Sequence, residues 1–285
     1  MVLKAHLKDL VKQKVFPSTL LRASARKRVV HRRNPYLISA TYLLLITCAE
    51  LMTIYDAKAG IALHALILFA LLVHSALESD TDKHLSQFLM ALLLSPLIRI
   101  LSLSMPLPHF SRISWFLLVS IPIFIATFTC LWLQAVRPKD IGLSLPILRH
   151  TPIEAGVIIL AIPVGIMEYL ILKPVPLPIG PGATNFIAAS LIIIVCTGYL
   201  EELVFRGLLQ YNATRLMNKW SGILFVSMIF GVLHVGNLVL LDPVLAFSAG
   251  FVFSVVREKT GSIYGITVSH GVINIVLFLI APYYL

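Results

Sequence analysis

Residues 186–207 read FIAASLIIIVCTGYLEELVFRG. The first fifteen carry no charge, and the whole run has the roughly 20 residues that a helix needs to cross a bilayer. Polar and apolar positions do not alternate, so the run reads as a transmembrane helix and not as a barrel strand. Three ionisable groups, Glu201, Glu202 and Arg206, nevertheless stand near its end. Eight more apolar segments flank it, at about 36–55, 60–77, 85–103, 114–136, 153–172, 221–240, 243–256 and 262–282. The segment 243–256 is short for a crossing. The expected fold is therefore an all-α, polytopic transmembrane helix bundle of about eight or nine spans.

Composition agrees with this reading. Of 285 residues, 58% are hydrophobic and 13% charged, about half the charge of a soluble domain. That excludes an ordinary soluble enzyme, and the apolar content excludes a disordered chain. The net charge of +10 does not indicate nucleic acid, because ten of the 23 Lys and Arg crowd into residues 1–33 beside a single acid, Asp9. Leu3, Leu7, Leu10 and Val11 fall on one helical face with Lys4, Lys8 and Lys12 beside it. This is the pattern of an interfacial helix on anionic lipid, with an organelle transit peptide as the alternative. With the basic end inside, 18 Lys and Arg fall in inside segments and only Lys58, Arg112 and Lys173 outside. The positive-inside rule then places the N-terminus in the cytoplasm. Cys48, Cys130 and Cys196 all lie in apolar runs and read as small hydrophobes.

The chain divides into a basic N-terminal segment, 1–35, a set of membrane helices without an assignable motif, 36–172, and a motif-bearing core, 185–282. Between the last two, Lys173–Gly182 holds four prolines and reads as a semi-rigid connector. Pro163 is expected to kink its helix.

An ionisable group at mid-bilayer costs about 2.5–3.5 kcal/mol and so needs a partner or a purpose. Glu50, His64, His74, Arg99 and Glu168 lie near span ends, where long side chains are expected to reach the interface. Glu201, Glu202, His234 and His270 do not. At 1.5 Å per residue they lie about 15, 15, 20 and 13 Å from the inner face, on three different helices. Glu202 and Arg206 are four apart and can pair on one face, as can Phe230 with His234 and His270 with Asn274. Glu201 is turned about 100° from its neighbour and has no local partner.

The three patterns E-E-x-x-x-R (Glu201, Glu202, Arg206), F-x-x-x-H (Phe230, His234) and H-x-x-x-N (His270, Asn274) occur in order, and they resemble the motifs of the CPBP family of CaaX proteases and bacteriocin-processing enzymes. The resemblance covers roughly 185–282. It implies an intramembrane endopeptidase without a cofactor. In that reading Glu201 activates water, His234 positions it, His270 and Asn274 stabilise the oxyanion, and Glu202, Arg206 and Phe230 support them. The implied partner is a membrane-associated protein or peptide substrate of the CaaX, leader-peptide or C-terminal sorting-signal type. The implied location is a prokaryotic cytoplasmic membrane, with the site toward its cytoplasmic half.

The residues themselves bear on this expectation. H-E-x-x-H and G-x-S-G are missing from the sequence, and no Asp lies deep in a span, since Asp56 and Asp242 sit at span ends. Glutamate with water is the nucleophile system left for amide hydrolysis. Two histidines and a glutamate could also hold zinc. A non-catalytic scaffold on the same fold and a proton-coupled transporter are the other classes. A transporter is disfavoured because the first half carries no second copy of the glutamate motif.

Overall fold

The computed structural model describes residues 34–104 and 110–285, and these are all-helical, with no strand among them. The reading of residues 1–33 as an interfacial helix lies outside the described residues.

Caps written into the sequence set the helix starts. Asn34 accepts from the backbone N–H of Tyr36 and Leu37 ahead of α1 (Pro35–Tyr55), with Pro35 in the first position, where its missing N–H costs nothing. Asp56 caps α2 (Ala57–Glu78) in the same way through Lys58 and Ala59. The third segment, expected as one span over 85–103, is two helices, α3 (Lys83–Leu92) and α4 (Leu94–Ser104). Pro96 cannot donate to the carbonyl of Leu92, and the ladder breaks between them. Ser111 caps α5 (Arg112–Leu133), and α6 runs Thr151–Leu172 with Pro163 inside it. A long helix, α7 (Ala183–Leu216), is followed by α8 (Lys219–Val232), α9 (Leu241–Thr260) and α10 (Tyr264–Tyr284).

By length and hydropathy seven helical stretches qualify as spans among the described residues: α1, α2, α3 with α4, α5, α6 with the turn before it, α7 and α10. The expectation was eight or nine. The difference lies in α8, which has only 14 residues, and in α9, which carries Arg257-Glu258-Lys259 in its last turn. The segment expected over 221–240 stops being helical at Val232. A short turn over Val235–Asn237 follows, and Leu238 takes a left-handed φ of 61°. Hydropathy continues to 241 while the backbone turns away, because Leu238, Leu240 and Leu241 stay exposed and apolar.

The outer surface is that of a lipid-facing protein. Tyr55, Phe69, Leu77 and Trp132 are each at least two-thirds exposed, which on a water-facing surface would make a very large apolar patch. Inside, α6 packs on α10, α10 on the middle of α7, and α8 on α9, while α2 holds α1, α3 and α4 together. The proline-rich connector is packed and not free: Leu177 is buried, and its carbonyl accepts from the Tyr283 hydroxyl at 2.9 Å.

Candidate active site

The centre of α7 is not a regular α-helix. Ile194–Tyr199 and Leu203–Leu209 are π-helical, and they bracket the short α-helical piece Leu200–Glu202. A π turn adds a residue to the helical circuit and re-aims the side chains after it, which is why such turns gather at functional sites. A third π turn, Val276–Ile280, follows Asn274 on α10. Two glycines let these helices approach closely. A Cβ on Gly198 would lie 2.9 Å from the backbone N of Gly271, and one on Gly271 would lie 2.6 Å from Ile194 Cγ1. Small residues are the usual way for membrane helices to meet backbone to backbone.

This contact brings together groups 68 residues apart. Glu202 is fully buried, and its Oε1 accepts from Arg206 Nη1 at 3.0 Å and from His270 Nδ1 at 2.8 Å. A carboxylate only accepts, so the Nδ1 hydrogen of His270 points at Glu202 and the Nε2 side is left facing the cavity. That Nε2 stands 3.8 Å from Glu201 Oε2. Glu201, which has no partner on its own helix, therefore faces His270 across the site. Its side chain remains about one-third exposed, in contrast to Glu202.

Arg206 is also fully buried. Its guanidinium lies 4.1 Å from the centre of the Phe230 ring, with Phe205 and Phe253 within 6 Å. Aromatic faces thus take the part of the cation that hydrogen bonds do not. Gly250 leaves the room, since a Cβ there would come within 2.8 Å of Nη2.

His234 sits just past the end of α8, and its Nδ1 is 2.8 Å from the Phe230 carbonyl oxygen. The carbonyl accepts, so Nδ1 carries the hydrogen, and in the neutral ring Nε2 keeps its lone pair. Asn274 donates through Nδ2 to Thr197 Oγ1 at 2.9 Å, and Thr197 donates in turn to the Ile193 carbonyl at 2.6 Å. One N–H of the Asn274 amide then remains for a ligand.

Two cavities, of about 220 and 190 Å³, flank this constellation. Glu201, His234, Thr197, Phe116 and Phe230 line both, while His270 and Asn274 line the smaller one. Among the described residues no three His, Cys, Asp or Glu side chains form a group that could hold a metal ion.

Residues 183–276 match the Rce1-like family, described as type II CAAX prenyl endopeptidase Rce1-like. No curated protein and no solved structure matches the chain. The matched segment contains all seven site residues of the three motifs. At the family level the match implies CAAX intramembrane endopeptidase activity, and it agrees with the CPBP resemblance. With its seven apolar helical stretches, the chain is an integral multi-pass membrane protein.

Some groups set aside as span-end residues behave differently in the structure, and these are corrections. Glu50 and His64 do not reach an interface. Both are fully buried, with Glu50 Oε1 3.1 Å from His64 Nε2 and 2.6 Å from Arg99 Nε. Glu168 lines the smaller cavity. These residues lie outside the Rce1-like segment and carry no local spacing that marks them. Glu50 and Arg99 are 49 residues apart, so only folding shows that they pair. Thr197 likewise carries no mark in the sequence, being one of several hydroxyl residues on α7.

Proposed function

We propose that the protein hydrolyses a peptide bond of a membrane-associated protein or peptide with water activated by Glu201. The observation that supports this best is that Glu201 and His234 both line both cavities, which brings a carboxylate and an imidazole to the same part of the site. A water there donates one hydrogen to the carboxylate and the other to His234 Nε2, which leaves a lone pair for the scissile carbonyl. Glu201 takes the proton as the carbon is attacked and passes it to the leaving amine.

The developing oxyanion needs donors. Asn274 supplies its free N–H. His270 supplies Nε2–H when both ring nitrogens carry hydrogen, while its Nδ1 hydrogen goes to Glu202. The Glu202 carboxylate meets the Arg206 guanidinium inside the protein, the partner that a buried charge requires. Glu202 and Arg206 are thus positioning residues that act through His270.

The test is a comparison of membrane-protein termini in cells carrying the wild type or Glu201→Ala. New termini that vanish in the variant are expected. Identical sets would overturn the protease reading in favour of a scaffold. Purified protein is expected to keep its activity through EDTA and phenanthroline. Loss restored by stoichiometric zinc would move Glu201, His234 and His270 into ligand roles.

A further inference from the structure

The two cavities that meet at Glu201 differ in charge. The larger one has Arg99 of α4 in its lining, with Ser102 and Ser120. The smaller one has no Lys or Arg in its lining and carries a second acid, Glu168. A bound chain crossing the site from one cavity to the other therefore passes a guanidinium, one side of which holds Glu50, in the first and an acid in the second.

Arg99 is built to present its free side. Its Nε donates to Glu50 Oε1 at 2.6 Å, and its side chain is 15% exposed. Among the described residues its two terminal nitrogens have no hydrogen-bond partner. A Cβ on Gly236, two residues beyond His234, would come within 2.8 Å of Nη2, so glycine leaves the guanidinium its place. Holding Glu50 uses one of five N–H groups. The remaining fork has the planar, two-pronged shape that matches a carboxylate.

We propose that Arg99 in the lining of the larger cavity takes the C-terminal carboxylate of the substrate. The chain being cut then lies with its free end toward Arg99 and its N-terminal side toward Glu168, where a carboxylate would meet like charge. This rests on the protease reading. It assigns a specificity role to the helices outside 183–276.

The test uses the full chain in lipid nanodiscs. With Trp132→Phe and Trp220→Phe, the remaining Trp115 lines the larger cavity and reports binding. The probes are the tripeptide Val-Ile-Met as free acid and as amide, and Val-Ile-Asp amide, which moves the carboxylate to a side chain. The free acid is expected to bind on the order of tenfold tighter than either amide. Arg99→Gln should bring that ratio to about one, while Arg99→Lys keeps part of it. Quenched farnesyl peptides ending in acid or amide should show the same ratio in kcat/KM. Should Arg99→Gln fold poorly with Glu50 left alone, Glu50→Gln/Arg99→Gln removes both charges and gives the same readout. Equal binding of acid and amide, or a ratio untouched by Arg99→Gln, overturns the assignment. Equal affinity for the Asp amide overturns the chain-end part of it. Cleavage without acid preference sinks this inference and keeps the protease, whereas Arg99-dependent binding without any cleavage does the reverse.

Discussion

At the scale of single residues, two adjacent glutamates divide the work because the helix points them to different places. Glu201 opens on the cavities, while Glu202 is buried between Arg206 and His270. Glu201→Gln keeps size and removes only the ability to take a proton, and a neutral amide is easier to bury than a carboxylate. It should abolish cleavage with no loss of melting temperature. Glu202→Gln strands Arg206, fully buried among aromatic rings, and breaking a buried pair costs about 3–5 kcal/mol. Lower yield and melting temperature are expected, with residual activity in the folded fraction. Asn274→Ala removes one oxyanion donor and should lower kcat by about 10²–10³-fold with little change in KM. Normal turnover in well-folded Glu201→Gln would refute the proposed mechanism. The Glu202–Arg206 pair could be read from spacing because four residues on a helix share a face. The bonds of His270 to Glu202 and of Asn274 to Thr197 could not, since each joins two helices and depends on how they pack.

At the scale of elements, the site depends on how closely α7 and α10 approach. A Cβ on Gly198 meets backbone atoms, the N of Gly271 and the carbonyl of Thr267, both at 2.9 Å. Backbone cannot swing aside as a flexible side chain can, so Gly198→Ala must push the helices apart. Overpacking of this kind costs about 1–3 kcal/mol. A displacement near 1 Å between Glu201 and His270 can cost about 10²-fold in rate. The comparison is Gly156→Ala on α6, where nothing lies within 4 Å. There the gain in helix propensity, up to about 1 kcal/mol, should leave melting temperature equal or higher and turnover intact. Equal behaviour of the two variants, in thermal melts and in cleavage, would show that the glycine contact does not set the site. Nothing in the hydropathy of 186–207 announces the π turns or this contact. Hydropathy reports that a segment is buried in lipid or protein, and not where its ladder shifts from one hydrogen-bond pattern to another. The same blindness explains why the segment 221–240 continues as an apolar run after its helix has ended at Val232.

At the scale of the whole molecule, the helical segments could be placed from the sequence because each is a long apolar run bounded by polar caps such as Asn34, Asp56 and Asp82. The buried cluster of Glu50, His64 and Arg99 was misread for the opposite reason: a charge near a span end looks solvated until three helices close over it. Orientation rests on a different kind of signal, the asymmetry of Lys and Arg, which acts during insertion and leaves no contact to inspect. With the basic end inside, the loop holding Arg137, Lys139 and Arg149 is cytoplasmic and the connector before α7 is outside. Arg137 and Asp140 form an exposed ion pair in the first of these, with Asp140 held below its usual carboxylate range by the hydrogen bond from Arg137. The loop is thus charged on both signs near neutral pH, as a water-facing segment should be. Cys48 is the exposed native thiol, with Cys130 and Cys196 buried, so Cys48→Ser provides the background for single cysteines at Lys139 and Thr184. In intact cells an impermeant maleimide is expected to label position 184 and to reach position 139 only after the membrane is opened. The reverse pattern would invert the protein and overturn the cytoplasmic placement of the N-terminus.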